Sequence, residues 1–335
     1  MAVTVPTNVD TAIPEVWANL VLRDHLRAGT WGRFIGSQGS GSPIIQASEL
    51  LGKPGDLIHI QTANPLSGSG VQGDTAVLEG NEEALSLSEI RVVPILTRHG
   101  VRVNRRANKK NIVELRSEAR MRLAEWGIDK MDNERFRMYP STSASDVSPD
   151  STYTPNIYCV GGPFSGGSKT DIIVSDKLTV AALRSIRYKL LAQRAQPFIV
   201  DGVPYFFMFV SPEVEFDLKG DTDYKNYAMN AQSRGMDNPL FTGAIMNVEG
   251  LVIFSDFRVP VGTDGGGGSV RYAKCIAFGR EAFVEGLDES VTWVERDHFD
   301  YGQEWGVAYS FAFKPRRGLE LASTQVLCAA AVPTS

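Results

Sequence analysis

Two glycine-rich segments contain the residue types that could bind a nucleotide. Residues 68–73 (GSGVQG) match the spacing G-x-G-x-x-G, but they lie in a long polar stretch with no helix predicted to begin at Gly73. A dinucleotide-binding loop needs that helix, because the helix N-terminus holds the pyrophosphate. In residues 162–170 (GPFSGGSKT), Ser168 separates Gly167 from Lys169 and breaks the spacing of a phosphate-binding loop. Neither segment therefore predicts a nucleotide site.

The histidines and cysteines could bind a metal or supply a nucleophile. The histidines are single and far apart along the chain: His25, His59, His99 and His298. The cysteines are also widely spaced, and they are odd in number: Cys159, Cys275 and Cys328. Such spacings predict no metal centre and no disulfide framework, and they suit buried thiols in a reducing compartment. Serine does not occur in a G-x-S-x-G motif. We therefore expect no catalytic site, cofactor or enzymatic activity.

Charge is segregated along the chain instead. The formal net charge is −5, which does not indicate a nucleic-acid-binding protein. Between Lys53 and Arg91 there are acids but no lysine or arginine: Asp56, Asp74, Glu79, Glu82, Glu83 and Glu89. After this segment the sign of the charge reverses. Residues 98–110 contain bases but no acid: Arg98, Arg102, Arg105, Arg106, Lys109 and Lys110.

This segregation has two interpretations. The two segments could be separate solvated surfaces of one molecule. Alternatively, an acidic projection of one copy docks on a basic patch of the next. The acidic segment favours docking, because about 27 residues without helical periodicity are long for a loop in a compact domain. The predicted contact residues are Asp74, Glu79, Glu82 and Glu83 on one copy and Arg98, Arg102, Arg105 and Arg106 on the other.

Periodicity predicts the elements that hold these charges. Residues 55–61 alternate as a strand, and a second strand covers residues 89–103 with an interruption at Pro94. From residue 107 to 139, apolar residues recur every three or four positions, which predicts the longest helix. Further helices are predicted at 178–195 and 221–234, and further strands at 157–160, 172–174, 204–210, 251–254, 272–278, 307–313 and 325–332. Helices and strands mix without regular βαβ alternation, so the predicted class is α+β.

The lengths of the apolar runs and the composition of the N-terminus show whether the sequence predicts a membrane helix or a secretory signal. No apolar run approaches the roughly 18 residues of a membrane helix, and no basic region precedes an apolar one at the N-terminus. We therefore expect neither a membrane span nor a secretory signal.

A series of short motifs spans most of the chain: RFIG (33–36), GDLIHI (55–60), GD (73–74), LEGNEEAL (78–85), LRSEA (115–119), LAEW (123–126), DNPLFTGA (237–244) and DYG (300–302). The strings at 78–85 and 237–244, in this order and spacing, are the most specific. In the order of these motifs, the chain resembles the major capsid proteins of tailed phages in the group typified by coliphage N-four, which have the Hong Kong 97-type fold.

The resemblance implies four regions. They are an N-terminal arm (1–54), an extended loop (55–103), a peripheral domain with a long spine helix (104–175 and 291–335) and an axial domain (176–290). Copies would form pentamers and hexamers that close an icosahedral shell around double-stranded DNA.

The resemblance also implies partners and a location. The expected partners are further copies, a portal protein and DNA bound without sequence preference, with scaffolding or decoration proteins as further candidates. The expected location is the virion capsid, after assembly in the host cytoplasm. An encapsulin-like protein compartment is the alternative with the same fold, and an enzyme that uses one of the glycine loops is a more distant one. Some shells of this fold join a loop lysine to a neighbour covalently, whereas residues 54–90 contain no lysine here.

Overall fold

The computed structural model describes residues 29–37, 39–48, 57–63, 66, 68–73, 77–85, 87–106, 115–141, 156–164, 166–200, 202–230 and 247–332. The helices within these ranges are α1 (Leu115–Met138), α2 (Val180–Ala192), α3 (Pro212–Gly220) and α4 (Thr222–Asn230). The strands are β1 (Ile35–Gly36), β2 (Ile44–Ala47), β3 (Ile58–Ala63), β4 (Leu87–Val92), β5 (Ile95–Asn104), β6 (Ile157–Cys159), β7 (Phe198–Val200), β8 (Val203–Val210), β9 (Asn247–Val248), β10 (Leu251–Ser255), β11 (Val261–Gly265), β12 (Val270–Phe278), β13 (Phe283–Phe299), β14 (Glu304–Arg317) and β15 (Ser323–Ala329). Helices and sheets are mixed, as the α+β prediction requires.

The first sheet has the strand order β1-β2-β13-β14-β5 and packs against α1 on one face. The predicted alternation of β14 is confirmed, because Val307, Tyr309 and Phe311 are buried against Leu123 and Met131 of α1. Of the predicted helix 107–139, the part from Leu115 to Met138 is confirmed, and residues 107–114 lie outside the described ranges.

The second sheet has the order β6-β15-β12-β8-β10-β9, with β11 added to β12 and β7 added to β8. The predicted helix 178–195 is confirmed as α2, which begins after Thr179, whose side chain accepts a hydrogen bond from the Ala182 amide. Its apolar positions Leu183, Ile186 and Leu190 are buried in a core that includes side chains of β8 and β12.

Trp31 is at the centre of the core that joins the two sheets. The Trp31 side chain is fully buried. Its ring centroid lies 4.3–6.0 Å from those of Phe34, Phe136, Tyr139, Phe209, Phe278 and Phe283. These rings come from the N-terminal turn, from the end of α1 and from both sheets. The two sheets therefore share one apolar core, in which aromatic pairs add to the gain from burial.

A buried ion network also connects α1 to both sheets. Arg135 donates to Glu285 of β13 through Nε at 2.6 Å and Nη2 at 3.0 Å, and to Asp132 at 2.9 Å. The Tyr139 hydroxyl donates to Glu285 at 2.5 Å. Asp132 also accepts from Arg258, which follows β10, at 2.9 Å. Burial alone would lower the pKa of Arg135, but the charge and hydrogen bonds of Glu285 raise it above its ordinary value.

Two segments differ from the predicted elements. Residues 172–174 were predicted as a buried strand, and this is wrong: Ile172 is buried, whereas Ile173 and Val174 are about 60% exposed. The Ile173 amide donates to the Asp176 side chain at 2.9 Å, and the Asp176 amide returns a bond to the Ile173 carbonyl, so this segment forms a turn. The helix α3 was not predicted; Ser211 caps it and Pro212 begins it.

The sheets also divide the chain differently from the predicted regions. β13 runs without interruption through the predicted boundary between residues 290 and 291. β6 and β15 were both expected in the peripheral domain, but β15 pairs with β12 and with β6 in the second sheet. The second sheet therefore collects strands from 157–159, 198–278 and 323–329.

Candidate functional site: the acidic loop and the basic strand

The acidic loop extends from a two-stranded hairpin. β3 and β4 pair antiparallel from Ile58 opposite Val92 to Ala63 opposite Leu87. The predicted strand 89–103 is divided around Pro94 into β4, which belongs to this hairpin, and β5, which belongs to the first sheet. At the base, Ile58 and Val92 are buried against Ala47 and Val284. A Cβ at Gly286 would lie 2.7 Å from Val92, so the hairpin packs closely on β13. Val284 and Gly286 alternate with Glu285, which faces α1, and the hairpin therefore lies on the opposite face of the first sheet.

The loop between β3 and β4 exposes both acidic and apolar side chains. Glu79, Glu82 and Glu83 are exposed, and Asp74 lies outside the described residues. Glu83 accepts from the Gly68 amide at 2.6 Å, and Glu82 accepts from the Gly80 amide at 2.7 Å. Apolar loop side chains are 60–65% exposed: Leu66, Val77, Leu78 and Leu85; Leu87, the first residue of β4, is 59% exposed. Two carboxylates therefore order the loop while its apolar side chains remain uncovered within one chain.

The basic residues Arg98 and Arg102 lie on the same sheet face as the hairpin. On β5, Val101 and Val103 pack toward the core beneath α1, so the even-numbered residues point to the other face. Arg102 forms an ion pair with Glu304 at 2.6 Å. Arg98 is exposed opposite Ser310. The structure thus brings the base of the acidic loop and part of the basic run to one surface.

Arg105 and Arg106 follow the end of β5 and are exposed. The Arg105 amide donates to the Gln303 carbonyl at 2.8 Å, and the Arg106 amide donates to the Asn104 side chain at 2.8 Å. Both residues therefore lie beside the turn that connects β13 to β14. Within the described ranges, Arg98, Arg105 and Arg106 form no ion pair with Glu79, Glu82 or Glu83, so the predicted acid–base contact is not made inside one chain.

Sequence reasoning missed Arg296 and Phe299 on this surface. Gly306 of β14 lies between Arg102 of β5 and Arg296 of β13 in the strand register. A Cβ at Gly306 would lie 3.0 Å from the Phe299 ring, so the ring lies over this glycine. The guanidinium carbons of Arg102 and Arg296 are 4.3 and 4.9 Å from the ring centroid, within cation–π distance. No local sequence signal links these positions, because the cross-strand register brings them together.

Several residues considered for catalysis or ligand binding have structural partners, whereas His25 lies outside the described residues. Lys169, in the segment compared with a phosphate loop, pairs with Asp264. All three cysteines are free and buried, as predicted, and burial raises the pKa of Cys159 to about 11. His59 pairs with Glu89, and the His99 ring lies 4.6 Å from Trp126. Over the described ranges, no three His, Cys, Asp or Glu residues are grouped to hold a metal ion.

Among the described residues, no helix combines the length and the apolar character needed to cross a bilayer.

Comparisons with known proteins give a consistent result. A family model described as phage capsid protein matches residues 11–312. The major capsid protein of Pseudomonas phage KPP25 is 27% identical over 326 residues, covering 88% of this chain and 86% of that protein. The capsid of Ralstonia phage GP4 superposes with a TM-score of 0.72 at 24% identity, covering 90% of this chain and 91% of that one. The capsid of cyanophage Pam1 superposes with a TM-score of 0.76 at 19% identity, covering 92% and 94%.

Proposed function

Because the chain belongs to the phage capsid protein family, we infer that it is the major capsid protein of a tailed phage and that copies of it build the capsid shell. The match to residues 11–312 carries this conclusion, since it includes both sheets except for β15 and the end of β14. An encapsulin-like compartment is not favoured by relatives that are phage capsids.

The finer architecture is part of the proposal. Copies form pentamers and hexamers of an icosahedral shell with the Hong Kong 97-type fold, in the group typified by coliphage N-four. α1 serves as the spine helix, and the hairpin β3–β4 with its loop serves as the extended loop. The first sheet forms the peripheral domain and the second sheet forms the axial domain. This assignment places β6 and β15 in the axial domain, in contrast to the division expected from the sequence.

The acidic loop of one copy docks on the basic surface of a neighbouring copy. The exposed acids Glu79, Glu82 and Glu83, beside exposed apolar residues, support this contact. The exposed bases Arg98, Arg105 and Arg106 also support it, because they form no ion pair with another described residue. Each exposed charge pair contributes only about 0.2–1 kcal/mol, but a shell repeats the pair at every equivalent interface. Asp74 and Arg102 belong to the same proposed contact.

The remaining partners follow from the location in the virion head. A portal protein occupies one vertex, and scaffolding or decoration proteins are further candidates. Assembly takes place in the host cytoplasm. With a net charge of −5, the subunit cannot drive DNA packaging by neutralising phosphates. Contacts with the packaged DNA are therefore loose and independent of sequence, and a motor supplies the work.

Charge reversal tests the proposed contact. The expressed protein should form closed particles in electron micrographs. The variant Glu82→Lys/Glu83→Lys should lower the particle yield without lowering the melting temperature of the subunit, and adding Arg105→Glu/Arg106→Glu should restore part of the yield. Asp223→Lys, at an exposed acid on α4, is the control for a change of net charge.

Normal assembly of the Glu82→Lys/Glu83→Lys variant at an unchanged melting temperature would rule out loop docking. If the basic run instead faces DNA, reversing Arg105 and Arg106 alone should change the DNA content of phage heads, and reversing the loop should change nothing.

A further inference from the structure

The longest hairpin of the described chain ends in an unusual turn. β13 and β14 have 17 and 14 residues, and their last pair is Phe299 opposite Glu304. Between these residues, Asp300, Tyr301 and Gly302 have φ values of 47°, 52° and 85°. Glycine adopts this left-handed conformation freely, and aspartate tolerates it, but a bulky side chain adopts it rarely. The turn therefore holds Tyr301 in a strained backbone conformation.

Contacts within the subunit do not compensate for this strain. The relative exposure of Tyr301 is 106%, so its ring packs on none of the described residues of its own chain. Within the turn, the Gln303 amide donates to the Asp300 carbonyl at 3.0 Å, a hydrogen bond that does not involve the side chain of residue 301. Strain that is retained without a local structural benefit is typical of functional positions.

Four arginine residues lie at or beside the base of this turn. Arg105 is joined to Gln303 through its backbone, and Arg106 follows it. Arg102 and Arg296 lie against Phe299, the residue before the turn. Tyrosine and arginine dominate the binding energy of many protein interfaces, because both combine a large contact area with directional polar groups. A projecting tyrosine beside guanidinium groups fits a partner that offers apolar side chains next to carboxylates.

We propose that Tyr301 is an anchor residue through which one copy of the chain packs on the acidic loop of a second copy. That loop has the required composition, since Val77, Leu78 and Leu85 are about 60–65% exposed beside Glu79, Glu82 and Glu83. The tyrosine ring packs on the apolar residues while the neighbouring arginines face the carboxylates. The proposal rests on the loop docking described above and adds the turn that receives the loop.

Replacing the strained residue by glycine separates folding from assembly. Tyr301→Gly should keep or raise the melting temperature of the subunit, because glycine relieves the left-handed strain. It should also raise the protein concentration needed for half-maximal assembly by about tenfold, as expected for loss of an interface anchor. Arg194→Gly is the matched control, because Arg194 is also exposed with a φ of 61° but lies at the end of α2. Unchanged assembly of Tyr301→Gly would overturn the proposal.

Photocrosslinking identifies the partner surface. A benzoylphenylalanine at position 301 keeps an aromatic ring on an exposed site, and illumination of assembled particles should join it to peptides from residues 64–86 of another copy. Crosslinks confined to other segments would overturn the assignment to the loop, although the shell function would stand. If the wild-type protein formed no particles at all, the shell function itself would fail.

Discussion

Replacing Glu285 by leucine should strongly destabilise the subunit. The Glu285 side chain is fully buried and accepts two hydrogen bonds from Arg135 and one from Tyr139. Without Glu285, Arg135 remains buried with Asp132 as its remaining carboxylate, and Asp132 is already shared with Arg258. Removing one partner of a buried ion pair typically costs about 3–5 kcal/mol. We expect a loss of about 3 kcal/mol, because Asp132 continues to compensate part of the arginine charge.

A variant that removes the whole polar group should recover most of this loss. Arg135→Met/Tyr139→Phe/Glu285→Leu leaves no unpaired charge or hydroxyl, and apolar replacements of buried ion pairs are often neutral or stabilising. Asp132 would keep the Thr30 amide at 2.8 Å and Arg258 at 2.9 Å as donors. The triple variant should therefore lie within about 1–2 kcal/mol of the wild type.

Urea unfolding of the unassembled subunit, followed by tryptophan fluorescence, measures both free energies of unfolding. Trp31 is a suitable probe, because it is fully buried in the same core as Tyr139. The reasoning would be refuted if Glu285→Leu lost less than about 1 kcal/mol, the net value of an ordinary hydrogen bond. It would also be refuted if the triple variant were as unstable as the single one.

Three further predictions concern packing, pH and covalent linkage. Gly127→Ala should destabilise the subunit by about 1–3 kcal/mol despite the better helix propensity of alanine, because its Cβ would lie 2.5 Å from the buried Tyr309 ring. Since burial raises the pKa of Cys159 to about 11, its thiol should contribute stability that is complete below pH 9 and is lost as the pH rises to 11; Cys159→Ala should flatten that decline in unfolding curves. Because residues 54–90 contain no lysine, the shell should be non-covalent, and boiled particles should run as single 36.6 kDa bands.

Each of these three predictions has a control or a contrary outcome. Gly220→Ala is the control for packing, because a Cβ at Gly220 meets no atom within 4 Å; it should be neutral or slightly stabilising, and equal effects at the two glycines would contradict the steric argument. An alkaline decline that is identical with and without Cys159 would show that other groups cause it. A ladder of bands that resists reductant would disprove the non-covalent shell.

The secondary structure was predictable for elements in which buried apolar residues recur at the spacing typical of a helix or a strand. Helix α1 and strand β14 were predicted because their apolar residues recur with the period of the element. β13 was not predicted, although it is the longest strand of the described chain. Its pairing with β14 shifts between Leu287 and Glu289 and again between Glu289 and Thr292, and it carries the buried charge of Glu285. Irregular register and a paired buried acid remove the two-residue period that reveals a strand.

The sequence by itself determined the α+β class, the long unpacked acidic loop, the reversal of charge after it and the resemblance to phage capsid proteins. All of these depend on local composition, on periodicity or on the order of motifs along the chain. Only the tertiary structure placed Arg102, Arg296 and Phe299 around Gly306, and only it showed that Tyr301 projects from a left-handed turn. The physical reason is that strand register and backbone dihedral angles are set by long-range pairing, which joins residues as far apart in the chain as Arg102 and Gly306.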